Sequence, residues 1–444
     1  MAEKYNILFL ANTKHHTQCV ADHIAAVQKN SPHNWFVENS LNNRVLHKLD
    51  FDCFDAIGFH YSIRPHDWYY CPTKLYRKLQ EYNGLKFQFL QDEYERVNLT
   101  IKALRELNVG ILFTCVRLEL HDIAYDDPAL KDMRKVTVLT GYAPDSNQNM
   151  QWVPIDQRST DIFYRSRTCP YWLGRVANEK VLIAKEFIKR ADKLNLSVDI
   201  SVQEKDRVYG EEWTQCLSNC RATLATESGS SIWDRDGEVE RAVDAALMKN
   251  PHATFEEIYQ KILKPHDGKL MYTAISPRVF EAALLKTPLI MFPGWYNGIL
   301  EPDIHYIKLE KDFSNIESVV QKLRDDEALA TIADTAFRDL IASRNYSADK
   351  LGELVAENIE SYIEERLREN KSVPASAISQ MLSSNSRSHR FANAANNIFA
   401  ELRFSVGHFF RLVVSRDCRG MEKWRRLVES GSRYISYLKP RLRS

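Results

Sequence analysis

A short helix near residue 280 carries two opposite charges on one face. Pro277 suits the first turn of a helix, and Arg278 and Glu281 follow it at the spacing i,i+3. Thr287 and Pro288 end the helix, and the apolar run 289–292 has the length of a buried strand. A guanidinium and a carboxylate on one helix face could contact a polar ligand. A surface salt bridge on an ordinary helix–strand unit is the alternative, and it stays open.

A second segment combines a carboxylate with small polar residues at the end of a predicted strand. The strand ends at Thr226 and continues into Glu227, Ser228 and the run Gly229, Ser230, Ser231. Backbone N–H groups beside such residues can cradle an anion, best at a helix N-terminus. Glu227 stands at the carboxyl end of the strand, where parallel sheets bind ligands. The alternative is a polar loop with a Ser cap.

Three arginines follow strand ends in the same half of the chain. Arg165 and Arg167 come after the strand predicted at 161–165, and Arg207 comes after the strand predicted at 196–201. A guanidinium binds phosphate through two parallel hydrogen bonds. Each of these residues alone is more often a surface arginine, but their shared sheet edge favours an anion site.

The first half of the chain places titratable side chains at two strand ends. His60 follows one strand, and Asp92 and Glu93 follow the next. Histidine and carboxylate groups in such places could act as a general base on a hydroxyl. Alternatively, Asp92 and Glu93 could cap the following helix, because acidic side chains stabilise helix N-termini.

The elements that must position these residues alternate between strand and helix, twice. Strands are predicted at 5–11, 54–60, 85–91, 108–116 and 135–140, with helical patterns between them. After a linker at 141–159 the alternation restarts. It predicts an α/β fold of two Rossmann-like, doubly wound domains that face a cleft. We assign 1–150 to the first domain, 160–370 to the second with a helical insertion at about 234–272, and 381–444 to a basic helical extension.

Composition is that of an ordinary globular protein, with 44% hydrophobic and 27% charged residues. Eight scattered cysteines suggest a reducing compartment. The sequence shows neither a signal-peptide pattern nor an apolar run long enough to span a bilayer. We therefore expect a cytoplasmic location.

The net charge of +1 hides a strong asymmetry between body and tail. Residues 381–444 carry 13 Lys and Arg against 4 Asp and Glu, whereas the remainder is acidic. Aromatic residues are interleaved with the arginines of 391–444, which would suit an anionic membrane surface such as the inner face of the inner membrane. Docking on the acidic body or oligomer contacts are the alternatives. Nucleic-acid binding is disfavoured because the rest of the chain is acidic.

The two segments described first carry a family resemblance. Arg278-Val-Phe-Glu281-Ala followed by a strand, with Glu227-Ser-Gly-Ser before it, resembles the C-terminal domain of bacterial GT-B glycosyltransferases of the family-1/family-4-like kind. The resemblance covers about residues 5–365 and is diffuse in the first half. It implies transfer of a sugar from a nucleotide sugar to a glycan or lipid-linked acceptor in surface-polysaccharide synthesis.

The resemblance also implies roles for individual residues. Glu281 would hold the ribose and Glu227 the donor sugar. The diphosphate would meet Arg165, Arg167, Gly229, Ser230 and Ser231, with Arg207 as another candidate. Arg278 would belong to the donor-binding residues on the helix of Glu281. His60, Asp92 or Glu93 would stand near the acceptor. The chain departs from the family's Glu-x7-Glu motif, because Thr273 stands eight residues before Glu281. This departure puts a retaining mechanism in doubt.

Asp234-Arg-Asp236 looks like the metal-binding Asp-x-Asp motif of GT-A glycosyltransferases, but two β/α halves do not fit that fold. We interpret it as incidental and expect a metal-independent enzyme with no cofactor besides its nucleotide-sugar substrate. Two alternatives stay open. One is a nucleotide-sugar epimerase on the same fold, and the other is a non-catalytic scaffold.

Overall fold

The structure, a computed structural model, describes residues 4–15, 18–144, 151–366 and 373–383. The first half contains the strands β1–β6, at Asn6–Ala11, Asn34–Asn39, Ala56–Phe59, Leu85–Phe89, Ile111–Thr114 and Arg134–Thr137. Its helices α1–α5 lie at Gln18–Gln28, Asn43–Lys48, Thr73–Glu81, Val97–Glu106 and His121–Ala124. The strands form one parallel sheet in the order β2-β1-β3-β4-β5-β6.

The central strands of this sheet are covered on both faces. Every residue of β1, β3, β4 and β5 is buried, as expected for a parallel sheet with helices on its two sides. Aromatic side chains fill the interior: Phe89 stacks on Phe113 with ring centroids 4.6 Å apart, and Phe9 stacks on Phe87 at 6.0 Å. This rigid core fixes the loops at the carboxyl ends of the strands.

The second half repeats the pattern. Its strands β7–β13 lie at Thr160–Arg165, Val198–Ser201, Cys220–Ala225, Ser228–Ser230, Tyr272–Ala274, Leu289–Met291 and Ile307–Lys308. Its helices α6–α13 lie at Gly174–Arg190, Gly210–Ser218, Glu238–Lys249, Phe255–Ile258, Pro277–Leu284, Ile316–Leu323, Asp326–Phe337 and Ala348–Arg366. Five strands form a second parallel sheet in the order β13-β12-β9-β7-β8.

The strand order of both sheets confirms the predicted fold class, α/β with two Rossmann-like doubly wound domains. In each sheet the chain starts on an inner strand, adds one neighbour, and then continues on the opposite side of the first strand. The carboxyl ends of the two strands at this reversal border a crevice, which is where open α/β sheets bind ligands. The crevices lie between β1 and β3 and between β7 and β9.

An insertion within the second half contacts the first domain. Strands β10 and β11 form an antiparallel pair, and α8 and α9 lie between them in sequence. At its start the backbone N–H of Asp234 donates to the carbonyl of Tyr94 over 2.8 Å, and that of Asn98 donates to the carbonyl of Arg235 over 3.0 Å. The insertion therefore connects the two domains.

Helix α13 packs on the first domain, although it lies within the range that we assigned to the second. Leu351, Val355 and Ile359 are buried in the core of the first sheet. Gly352 approaches α1 so closely that a Cβ atom there would lie 1.7 Å from the carbonyl oxygen of Lys29. The chain thus crosses back to the domain where it began.

Nearly all of the basic helical extension predicted at 381–444 lies outside the described residues. Within the ranges described, no helix is both long enough and apolar enough to cross a bilayer.

Candidate functional site

The site is centred on Glu227, two residues beyond the end of β9. Its Oε1 accepts backbone N–H groups from Trp295 at 3.0 Å and Tyr296 at 3.3 Å. Gly294 makes this approach possible, because a Cβ atom there would lie 2.7 Å from the carboxyl carbon of Glu227. The carboxylate is buried, but backbone donors stabilise it at the carboxyl edge of the second sheet.

An arginine of the first domain reaches this carboxylate. Arg117, after β5, places Nη2 3.9 Å from Glu227 Oε1 and donates to Thr273 Oγ1 over 2.6 Å. Thr273 lies opposite Gly229 in the β10–β11 ladder. The carboxyl edges of the two sheets therefore face each other. The guanidinium of Arg117 thus contacts both Glu227 and Thr273. Thr273 is the residue at the position where a contiguous Glu-x7-Glu motif would have its first Glu.

Two cations lie near the carboxyl end of β7. Lys180 of α6 is half-buried, and its Nζ donates to Ser228 Oγ over 3.3 Å. The hydroxyl of Tyr164 donates to the carbonyl of Lys180 over 3.4 Å, and the guanidinium of Arg278 lies 5.2 Å from the Tyr164 ring centroid. Burial lowers the pKa of Lys180, Cys169 raises it, and the positive charge of Arg278 lowers it again. A bound anion would offset the repulsion between the two like charges, so they mark a candidate anion site in the crevice between β7 and β9.

Sequence analysis missed Lys180, although a signal was present. In α6 it is spaced at helical intervals from the buried residues Ala177, Ala184 and Phe187. A lysine is unusual on the apolar face of α6, the helix that follows β7. Its position on that face marks Lys180 as a candidate for a partly buried charge.

Arg278 and Glu281 do occur together, but an indole mediates their contact. The guanidinium of Arg278 lies 5.0 Å from the ring centroid of Trp213 and 5.2 Å from that of Tyr164. Trp213 Nε1 donates to Glu281 Oε2 over 2.9 Å. Ser276, the N-cap of α10, makes no side-chain capping hydrogen bond, but Pro277 has no N–H and the N–H of Val279 donates to the Ser276 carbonyl over 2.9 Å. In the first turn, the N–H of Arg278 is the donor left for a ligand.

The predicted arginines separate into two groups. Arg167 is exposed, and its positive charge lowers the pKa of Lys180. Arg165 commits all five of its N–H groups to carbonyls and to the carboxylate of Asp199, the last at 2.7 and 2.9 Å. Arg207 pairs with Glu204 at 2.9 Å in an open groove beyond β8. These pairings leave Arg165 and Arg207 poor partners for a diphosphate.

The expected anion cradle at 229–231 is occupied by the protein itself. Ser230 Oγ bonds the carbonyls of Leu173 and Ile232 at 2.9 and 2.7 Å. Ser231 Oγ bonds Asp267 and accepts the N–H of Val176. The side chains of Ser231 and Asp267 therefore cap the start of α6. Gly229 lies against Tyr272 in the strand pair. The hydroxyls of Ser230 and Ser231 are thus turned inward, away from any ligand.

His60 is an interior residue rather than a base at the cleft. Its Nδ1 accepts the backbone N–H of Ser62 at 3.0 Å, which leaves the proton on Nε2, 3.0 Å from His23 Nδ1. Burial holds the pKa of His60 well below its usual range. Both ring nitrogens are committed, so His60 lacks a free atom for an acceptor.

The two neighbouring carboxylates have different surroundings. Asp92 has a left-handed backbone, with φ of 55°, is exposed, and its negative charge raises the pKa of Lys180 across the domain boundary. Glu93 is buried and accepts hydrogen bonds from Thr114 Oγ1 at 2.8 Å and the N–H of Cys115 at 3.0 Å. Burial raises the pKa of Glu93 to about 8. Helix α4 starts only at Val97, so neither carboxylate caps it.

The Asp-x-Asp sequence has a structural role. Asp234 Oδ2 accepts the N–H of Glu240 at 2.9 Å, and Asp236 Oδ1 accepts from Asn98 at 2.9 Å. Across the described ranges there is no group of three or more His, Cys, Asp or Glu placed to hold a metal ion.

No protein-family model matches the chain, and no curated protein matches it. Solved structures similar to it include Anabaena HepE in complex with UDP, with 12% identity, 81% of this chain and 100% of that chain covered, and a TM-score of 0.46. Alpha-glucosyltransferase (AGT) in complex with UDP shows 9% identity over 80% of this chain and 99% of that chain, with a TM-score of 0.45.

TarM shows 12% identity with a TM-score of 0.42, over 71% of this chain. The chain spans 57% of the length of TarM.

Proposed function

We propose that this protein is a glycosyltransferase that binds a nucleotide sugar in the crevice between β7 and β9. The observation that carries the proposal is the position of two cations around Tyr164, near the ligand-binding end of β7. The Arg278 guanidinium lies 5.2 Å from the Tyr164 ring centroid, the Tyr164 hydroxyl donates to the Lys180 carbonyl over 3.4 Å, and Lys180 Nζ donates to Ser228. The negative charges of a diphosphate would neutralise the positive charges of Lys180 and Arg278. Arg167 and the positive end of the α10 helix dipole add further positive potential.

The groups around the cation pair suit the remaining parts of a nucleotide sugar. Trp213 holds one carboxylate oxygen of Glu281, and ribose hydroxyls would donate to that carboxylate. Glu227 would accept hydroxyl groups of the donor sugar. The ligand would then extend from α7 and α10 towards the first domain.

The proposed reaction needs a stabilised leaving group and a deprotonated acceptor. The bond between the anomeric carbon and the diphosphate oxygen breaks, and a bond from that carbon to the acceptor oxygen forms. Lys180, Arg278 and the α10 N-terminus would stabilise the charge that develops on the diphosphate, so the proposed mechanism is metal-independent. Asp92 is the carboxylate of the first domain best placed to take the acceptor proton, since Glu93 holds its own proton at neutral pH.

The finer assignments follow the family resemblance. We propose a glycan or lipid-linked acceptor in bacterial surface-polysaccharide synthesis, with the first domain binding it. Association with an anionic membrane through 391–444 and a cytoplasmic site of action are part of the same proposal.

Turnover of donors tests the proposal against its alternatives. The protein is incubated with UDP-, GDP- and ADP-linked hexoses and with CMP-linked sialic acid, with and without a mixture of lipid-linked oligosaccharides, and the released nucleotide is measured. Release that depends on the acceptor supports glycosyl transfer. Free sugar and nucleotide in equal amounts without acceptor would favour the epimerase, and no release from any donor would favour the scaffold. Glu227→Gln, an isosteric change, should reduce acceptor-dependent release by about 100-fold or more.

A further inference from the structure

Arg117 is the one side chain of the opposite domain, among the residues that the structure describes, that reaches the proposed sugar-binding carboxylate. Its guanidinium lies 4.1 Å from the ring centroid of Trp295, and Nη2 lies 3.9 Å from Glu227 Oε1. The backbone N–H of Trp295 also donates to Glu227 Oε1, over 3.0 Å. The three residues therefore form a closed triangle in which each contacts the other two.

The rest of the guanidinium is anchored on the second domain. Nη2 donates to Thr273 Oγ1 over 2.6 Å, which fixes the direction of the fork. The Nε–H of Arg117 is buried and has no hydrogen-bond partner among the described residues. A buried donor without an acceptor is costly, so the contacts with Thr273, Glu227 and Trp295 must hold the guanidinium in this orientation.

We propose that Arg117 is a positioning residue for Glu227, which it holds in the orientation for transfer only when the two domains are closed on each other. The proposal rests on the proposed function, because Glu227 must contact the donor sugar. Opening the domains would withdraw Arg117 from both Glu227 and Trp295. Glu227 would then keep its backbone donors but lose its charged partner. Donor binding through Lys180 and Arg278 would continue, because both belong to the second domain.

Other contacts across the boundary serve adhesion instead. Arg235 of the insertion donates to Asp126 over 2.8 Å and to the carbonyl of Ile123 over 3.1 Å. It joins the same two domains, and in the part of the chain that the structure describes it makes neither a hydrogen bond nor an ion pair with Glu227. Arg235→Met is therefore a matched control for the loss of one arginine contact between domains.

The first test needs no ligand. A double-mutant cycle compares the thermal unfolding of wild type, Arg117→Met, Glu227→Gln and the double variant. The proposal requires that the two substitutions be non-additive, and that Arg235→Met with Glu227→Gln be additive. Additivity between positions 117 and 227 would overturn the proposal, whether or not any nucleotide sugar is turned over.

The second test measures turnover of UDP-glucose, GDP-mannose and ADP-glucose with the acceptor mixture. For whichever donor the wild type uses, Arg117→Met should lower kcat by about 10- to 100-fold with the donor KM within about 3-fold, since the charged partner that orients Glu227 is lost and misplacement by about 1 Å can cost about 100-fold in rate. Arg117→Lys keeps the positive charge but not the planar guanidinium, so its kcat should lie between those of the wild type and Arg117→Met. Arg235→Met should retain the wild-type kcat.

The outcomes separate this proposal from the proposed function. An equal loss of kcat in Arg235→Met would reduce Arg117 to domain adhesion and overturn the proposal. A rise in KM with unchanged kcat would make Arg117 a donor-binding residue, which also overturns it. If the wild type turns over none of the donors while the thermal coupling is present, the proposed function fails, and the transfer role of Arg117 fails with it.

Discussion

The indole N–H of Trp213 donates to Glu281 Oε2 over 2.9 Å, so a helix outside the crevice orients the carboxylate proposed to hold the ribose. The same indole ring lies 5.0 Å from the guanidinium of Arg278. One aromatic side chain of α7 thus positions both charges of α10, which would otherwise pair with each other.

Removing the indole donor tests this arrangement. Trp213→Phe keeps an aromatic face for Arg278 but leaves Glu281 Oε2 without its partner. Loss of a hydrogen bond to a charged group is worth about 1.5–3 kcal/mol, so we expect nucleotide affinity to fall by roughly 10- to 100-fold. Titration calorimetry measures it. Trp68→Phe, at an exposed position of the first domain, is the control, and an unchanged Kd in Trp213→Phe would remove Glu281 from the site.

The start of α6 offers a prediction on stability. Asp267 Oδ1 accepts the N–H of Arg175 at 3.3 Å and bonds Ser231, so it acts as a cap supplied by the insertion. Asp267→Ala should lower the free energy of unfolding by about 1 kcal/mol. Nucleotide affinity should not change. A weaker Kd at unchanged stability would return the segment 229–231 to the ligand site.

Glu93 predicts a pH dependence of stability. Its pKa is raised from 4.5 to about 8 by burial, so the folded state binds this proton more tightly than the unfolded chain. The stability that the protonated Glu93 carboxyl contributes is fully present below pH 4.5. It is lost as pH rises towards 8, at no more than about 1.4 kcal/mol per pH unit.

Glu93→Gln keeps an acceptor for Thr114 and removes the titration. Urea unfolding at several pH values between 5 and 8.5 should show that the variant loses this slope and is more stable than the wild type at the alkaline end. The same slope in both proteins would show that Glu93 is ionised in the folded state.

The alternation of strands and helices could be predicted because buried parallel strands are continuous apolar runs. Strand β2, Asn34–Asn39, escaped prediction because it lies at the sheet edge, is only partly buried and has Asn at both ends. The return of α13 to the first domain depends on contacts such as Arg134 with the carbonyl of Asn358, at 3.1 Å, which join residues more than 200 positions apart. Local patterns carry no information on such a contact.

Site residues could be predicted where a polar side chain directly follows a strand, as Glu227 does. They could not be predicted where a partner distant in sequence determines whether a side chain is free to bind a ligand. Arg165 is committed because Asp199 lies on the neighbouring strand, and His60 is committed because His23 on α1 lies beside it. Arg117 also follows a predicted strand, but nothing in the sequence shows that its partners belong to the other domain.

The most direct measurement of the central claim is nucleotide binding by calorimetry. UDP, GDP, ADP and CMP are titrated into the wild type, Lys180→Met and the control Lys205→Met, whose residue lies by the groove beyond β8. We expect that one of the nucleoside diphosphates binds the wild type and Lys205→Met with similar Kd. We expect Lys180→Met to weaken this binding at least 10-fold, since a charge-assisted contact is lost. Equal binding by all three proteins, or by none, would contradict a diphosphate site at Lys180 and Arg278.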